Sequence, residues 1–204
     1  MNGGAIDAAN NNTIVIKESV FTYDEVTGCC FTAGAVIFAD NPLEISLSNT
    51  LISNNTNGAV YLKNAVNGKF TLINSTVEFN TGEYGAGIRT DGTSDGQAIF
   101  SINNSTIKDN SVTRNGGGLY FKQTTAHITD TMIINNEAEL NGGGVLLGHN
   151  STLTLTNVKI QGNKAYDSGP GIACSYTSVK LIIDQTSDQQ SDTISYCDNK
   201  KEVV

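Results

Sequence analysis

Two stretches thirty positions apart are near copies of each other: residues 70–80 read FTLINSTVEFN and residues 100–110 read FSINNSTIKDN. Alignment puts Phe70 on Phe100, Leu72 on Ile102, Asn74 on Asn104, Val77 on Ile107 and Asn80 on Asn110. Taking the last Asn as an anchor, the register extends to Asp24, Asn55, Asn80, Asn110, Asn136 and Asn163, at spacings of 31, 25, 30, 26 and 27 residues. Three residues before each anchor stand Phe21, Ile52, Val77, Ile107, Ile133 and Ile160, all apolar; six before stand Glu18, Asn49, Asn74, Asn104, Asp130 and Asn157, all polar. Eight before come Ile16, Leu47, Leu72, Ile102, Ile128 and Leu155, and ten before come Ile14, Ile45, Phe70, Phe100, Ala126 and Leu153. Alternation at period two marks a half-buried strand.

A glycine motif follows each anchor and also precedes the first: Gly3-Gly4-Ala5-Ile6, Gly34-Ala35-Val36, Gly58-Ala59-Val60, Gly85-Ala86-Gly87-Ile88, Gly116-Gly117-Gly118-Leu119, Gly142-Gly143-Gly144-Val145 and Gly169-Pro170-Gly171-Ile172. Two short strands and a third apolar point per repeat, bounded by Asn and Gly, describe one turn of a parallel β-helix. Such a turn cannot bury its own apolar face, and stacking supplies the missing surface. The expectation is an all-β solenoid of about seven rungs, a rod on the order of 30–35 Å long at about 4.8 Å per rung.

The repeat runs nearly end to end without a linker, so residues 1–204 read as a single domain, with 185–204 as an irregular last rung and tail. The first residues fall straight into a rung with no cap, which reads as a fragment of a longer chain with neighbouring domains. With 38% apolar residues, 21 Gly and 24 Asn, and no helical spacing of apolar positions, neither disorder nor helix is expected. Asn tolerates left-handed corners and its amide can bond along a stack, while Gly suits corners where a side chain would strike the next rung.

A formal charge of −8 and a pI near 4.6 argue against nucleic acid or an anionic membrane as the main partner. No apolar run is long enough to span a bilayer, and residues 1–4 lack the features of a signal peptide, so no membrane insertion by this segment is expected.

In the strand after each glycine motif, alternation sends Val36 and Phe38, Val60 and Leu62, Leu119 and Phe121, and Val145 and Leu147 inward. The outward column is then Asp7, Ile37, Tyr61, Arg89, Tyr120, Leu146 and Ala173, and two positions on come Ala9, Ala39, Lys63, Asp91, Lys122, Gly148 and Ser175. Tyr61, Lys63, Arg89, Asp91, Tyr120 and Lys122 thus form one patch, the two tyrosines about 10 Å apart and flanking Arg89. One reading is internal: Arg89 stacked between tyrosines and Asp91 bridging two lysines, worth tenths to about 1 kcal/mol per pair. The other is a ligand-binding groove, in which ring faces meet sugars and three cations meet carboxylates or sulfates.

The two motifs resemble the repeat of the chlamydial polymorphic outer-membrane proteins, with signatures GGA(I/L/V) and FxxN. Gly3 to Ile6 matches the first in full; Phe21-Thr22-Tyr23-Asp24 keeps the Phe of the second, and later rungs keep the Asn with Ile or Val in place of Phe. The resemblance covers residues 3 to about 163. It implies a right-handed parallel β-helix of the pectin-lyase-like type on a secreted or cell-surface protein, often an adhesin.

Signals for catalysis are thin. His127 projects outward from a strand and His149 sits in a Gly-His-Asn turn, neither with a Cys, Ser or acidic partner at a recognisable spacing. No zinc spacing, phosphate loop or calcium nonapeptide is present, so no metal or cofactor is expected. A lyase would need a base and a counter-charge for an enolate; Lys63, Arg89 or Lys122 could be named as base, but no carboxylate cluster accompanies them. An ice-binding face fails because Thr152-Leu153-Thr154-Leu155-Thr156 is not repeated at Lys69 and Thr71 or at Glu44 and Ser46.

The expected function is therefore a non-catalytic extracellular or cell-surface module, structural or adhesive, with a protein or glycan as partner. The alternative is an acidic-polysaccharide-binding or lyase-like enzyme. Cys174 and Cys197, both in the least regular rung, are the expected disulfide, although four Cys allow three complete pairings. Cys29 and Cys30 lie in a lengthened connection. Sequons at Asn11, Asn54, Asn74, Asn103, Asn104 and Asn150 fit export, but Asn74 and Asn104 fall in a corner ladder, and an inward amide could not carry sugar.

Overall fold

The computed structural model describes residues 3–23, 35–175, 178–184, 194–195 and 201–203. Among them the chain is all β, and every strand of one turn pairs in parallel with its counterpart in the next. Four sheets run along the axis. The glycine-motif sheet is Gly3–Ala9, Ala35–Asp40, Val60–Lys63, Ile88–Asp91, Leu119–Lys122, Val145–Leu147, Ile172–Cys174 and Ile194–Ser195. The long sheet, also of eight strands, includes Glu44–Ser48, Lys69–Ile73, Ala98–Asn103, Thr124–Thr129 and Thr152–Thr156. A six-stranded short sheet runs from Val20–Thr22 to Lys159–Gln161. The fourth sheet has four strands, Thr81–Tyr84, Ser111–Asn115, Glu137–Ala138 and Lys164–Ala165. No helix among the described residues is long and apolar enough to cross a membrane.

The repeat alignment is realised residue for residue in the long sheet. Phe70 pairs with Phe100, Leu72 with Ile102, and Ile102 with Ile128. These side chains are all 0–1% exposed, and the Phe70 and Phe100 rings stack at 4.7 Å. Alternation in these strands lets each rung cover the apolar side chains of the next, which burial rewards at about 25 cal/mol per Å².

The anchors form a continuous internal ladder. Each amide nitrogen donates to the amide oxygen of the next rung: Asn55 to Asn80 at 2.8 Å, then Asn80 to Asn110, Asn110 to Asn136 and Asn136 to Asn163, each at 3.0 Å. The same oxygens accept the backbone N–H of the preceding anchor, and each Nδ2 also donates to a carbonyl such as Ile52, Val77, Ile107 or Ile133. All five anchors are buried. Asp24 lies outside the described residues.

The left-handed corners are elsewhere than in the anchors. Glu18, Asn49, Asn74, Asn104, Asp130 and Asn157, six before each anchor, have φ between 44° and 52° and are exposed. The residue just before each anchor is also left-handed, including Tyr23, Phe79 at 54° and Gly162. Between the two corners a second buried ladder runs through hydroxyls: the N–H of Thr50, Ser75 and Ser105 donates to Ser75, Ser105 and Thr131 in turn. Asn74 and Asn104 therefore point outward, where the Asn104 amide donates to Asn74 Oδ1 at 2.8 Å.

One register assignment needs correction. Ile37 pairs with Val60 and Phe38 with Tyr61, so Ala35-Val36-Ile37 is the equivalent of Gly58-Ala59-Val60. Phe38, not Ile37, stands in the outward column, and Asp40, not Ala39, pairs with Lys63. The uninterrupted apolar run Ala35–Ala39 carries no alternation that could fix the register, and a slip of one residue exchanges the two faces.

Candidate functional site

The structure brings Tyr61, Arg89 and Tyr120 into one column and Lys63, Asp91 and Lys122 into the next, as the spacing predicts. Arg89 is the centre. Its guanidinium carbon lies 4.3 Å from the Tyr61 ring centroid and 5.8 Å from that of Tyr120. Arg89 Nε donates to Asp91 Oδ2 at 2.9 Å, Nη2 reaches the same oxygen, and the Tyr61 hydroxyl donates to it at 2.8 Å. Arg89 and Asp91 are about four-fifths buried at the side chain, 21% and 18% exposed.

Electrostatics follow this closure. Burial pushes the Tyr61 hydroxyl well above its ordinary range, with the Asp91 charge adding to the effect and Arg89 opposing it. For Arg89, burial disfavours the cation, but Asp91 and then Tyr61 outweigh it and hold the guanidinium above its ordinary value. Both groups keep their neutral-pH states, so neither is poised for proton transfer near neutrality.

Asp91 does not bridge the two lysines. Its accepting oxygen is taken by Arg89 and Tyr61, and among the described residues neither Lys63 nor Lys122 makes an ion pair with it. The two lysines and Tyr120 remain half-buried at the rim. Leu146, the next residue in the outward column, is 3% exposed, so the patch ends there.

The spacing of one strand missed Tyr84 and Arg114, which come from the fourth sheet round the corner at Gly85 and Gly116. The Tyr84 ring lies 5.0 Å from the Arg89 guanidinium, 5.6 Å from that of Arg114, and packs edge-on against Tyr120 at 5.6 Å. Arg114 donates from Nη1 to the Tyr84 hydroxyl at 2.9 Å, and its Nε is 2.8 Å from Glu83 Oε1. The signal that could have found them is the stacking of Glu83-Tyr84 on Arg114-Asn115, one repeat apart.

His127 and His149 are both exposed and lie on different segments. The described residues contain no group of three or more His, Cys, Asp or Glu that could hold a metal ion. Cys174 is disulfide-bonded and buried. Cys197, the partner named for it, lies outside the described residues, as do Cys29 and Cys30. The sequons are largely written by the repeat itself. In Asn74-Ser75-Thr76 and Asn104-Ser105-Thr106 the first residue is the left-handed corner, the second the buried hydroxyl ladder and the third a strand residue.

No curated protein and no solved structure matches the chain. Residues 4–187 match the family model described as a right-handed β-helix region. That match reaches strands of all four sheets and covers both ladders: the chain belongs to the right-handed β-helix family.

Proposed function

We propose that the protein is a non-catalytic extracellular or cell-surface module, structural or adhesive, whose repeat is of the kind found in the chlamydial polymorphic outer-membrane proteins. The observation that carries this reading is the closure of the Arg89 cluster. Of the groups a lyase could use, Arg89 is engaged by Asp91, Asp91 by Tyr61, and the rings of Tyr61, Tyr84 and Tyr120 by the guanidinium, and among the described residues no carboxylate cluster accompanies Lys63 or Lys122. Such a cluster stiffens a face. Lys63 and Lys122, half-buried at its rim, are the parts of the patch open to a protein or glycan partner.

The disulfide at Cys174 supports an oxidising compartment, and hence export. The ladders support a mechanical role, since from Asn55 to Asn163 each turn is tied to the next by side-chain as well as backbone bonds. Incubation of the purified protein with pectate, alginate and other polyuronates should release no unsaturated or reducing ends. Turnover would replace this reading with the lyase.

A further inference from the structure

The fourth sheet carries a local irregularity. Thr81 pairs with Ser111, Gly82 with Val112 and Tyr84 with Asn115, so the single residue Glu83 opposes two, Thr113 and Arg114. This is a β-bulge, a device that re-aims side chains. Its effect shows in exposure: Thr113 and Arg114 both face solvent where alternation would have turned one of them inward. Beside the bulge lies an open groove of about 640 Å³, walled by Thr56, Asn57, Thr81, Glu83, Thr113 and Arg114.

Gly82 lines the same groove, and the backbone does not demand glycine there. A Cβ at Gly82 would meet nothing closer than Gly58 N at 3.4 Å, an ordinary contact, and φ is not left-handed. At Gly118 a Cβ would come within 2.7 Å of the Gly144 carbonyl oxygen, so glycine is required. Gly82 pairs in register with Val112, which is 2% exposed, so a side chain there would join the inward column and leave the groove as it is.

We propose that this groove binds a neutral, hydroxyl-rich glycan chain. Every walling side chain carries hydrogen-bonding groups, and donors and acceptors are balanced: three hydroxyls, one amide, and a guanidinium and carboxylate 2.8 Å apart. Adjacent sugar hydroxyls can donate to Glu83 and accept from Arg114 at once. A phosphorylated, sulfated or uronate ligand finds its one cation neutralised by Glu83, on a chain of net charge −8. A protein segment would need a desolvated pocket for an apolar anchor, which these walls do not provide. The site gives the adhesive form of the proposed function a ligand class and a place beside the Arg89 patch, to which Arg114 is joined through the Tyr84 hydroxyl.

The test is a glycan array carrying neutral glucans, mannans and galactans beside polyuronates and sulfated glycans, followed by calorimetry and a cleavage assay on the strongest hit. The full chain should bind neutral glycans, without cleavage and with little dependence on salt. Glu83→Ala and Arg114→Gln should each weaken binding at least about tenfold, while Lys69→Ala on the long sheet leaves it unchanged. Thermal melts confirm that each variant folds, and Arg114→Gln decides the matter if Glu83→Ala does not. Binding only to acidic glycans, unchanged affinity in Arg114→Gln, or no binding at all would overturn the site while leaving a scaffold. Cleavage of a bound neutral glycan would overturn the non-catalytic reading while leaving the site.

Discussion

The corner built on the Asn anchors and the strip from Gly82 to Arg114 belong to the same turns yet obey different rules. At the anchor corner one residue type recurs on five successive rungs, every amide is buried, and every bond is repeated within a few tenths of an ångström. At the strip the register slips, and Thr113 and Arg114 both face solvent. The difference is between positions that hold rung on rung and positions free to meet something else. Change at the first should cost stability, and change at the second should cost recognition alone.

The hardest blow to the regular corner is Asn110→Ala. It removes donors to Asn136 Oδ1 and Val77 O and strips the Asn80 backbone N–H and amide of their acceptor. With each buried orphan worth about 1–3 kcal/mol, urea unfolding should show a loss of about 3–5 kcal/mol. A loss below about 1 kcal/mol would mean that water replaces the amide and that the ladder is not the staple described.

Next comes a paired glycine test. Gly87→Ala places a Cβ against the Gly118 carbonyl oxygen and should destabilise by about 1–3 kcal/mol. Gly82→Ala should stay within about 0.5 kcal/mol of the parent in the same melts. Equal effects would erase the distinction between the two regions.

The Arg89 cluster lies between these extremes. Tyr61→Phe removes the donor to Asp91 and should cost about 1–2 kcal/mol. The folded-state value for Tyr61 lies above the ordinary 10.0, so its contribution is complete below that pH and lost as pH rises past it. Denaturant midpoints followed to about pH 11 should fall more steeply in the parent than in Tyr61→Phe. Matching slopes would show that the hydroxyl is not held protonated.

Two smaller effects sharpen the contrast from either side. Phe79 holds a left-handed φ of 54° with its ring 47% exposed, so Phe79→Asn should stabilise by about 1 kcal/mol. Destabilisation would show that the ring, 5.6 Å from the Lys108 ammonium, matters more than the backbone. Arg114→Ala removes a half-exposed ion pair and should change stability by less than about 0.5 kcal/mol. A larger loss would make Arg114 part of the frame.

What could be read from the sequence follows the same division. The columns of the long and short sheets were legible because their alternation is strict and a shift by one residue would expose Phe70 or Phe100. Phe38 was misplaced because Ala35–Ala39 is apolar throughout and every register looks equally good. The Arg89 column was legible from spacing, but not the bonding within it: Asp91 takes Arg89 and Tyr61 rather than the lysines, a choice set by burial. Tyr84 and Arg114 were missed because the fourth sheet has no apolar alternation, and a bulge defined by two strands leaves no mark in either alone.

The anchor ladder also decides in what units this protein can change length. Neighbouring anchors are separated by as few as 25 and as many as 30 residues, yet their amides meet at 2.8 to 3.0 Å throughout. The interior therefore counts turns and is indifferent to how many residues each turn contains. A loop can lengthen without disturbing any contact in the core, and a whole turn can be duplicated or lost while the remaining anchors close up on one another. Surface novelty and overall length are thus separately adjustable, and a strip such as Gly82 to Arg114 can diverge in sequence while the ladder behind it stays the same.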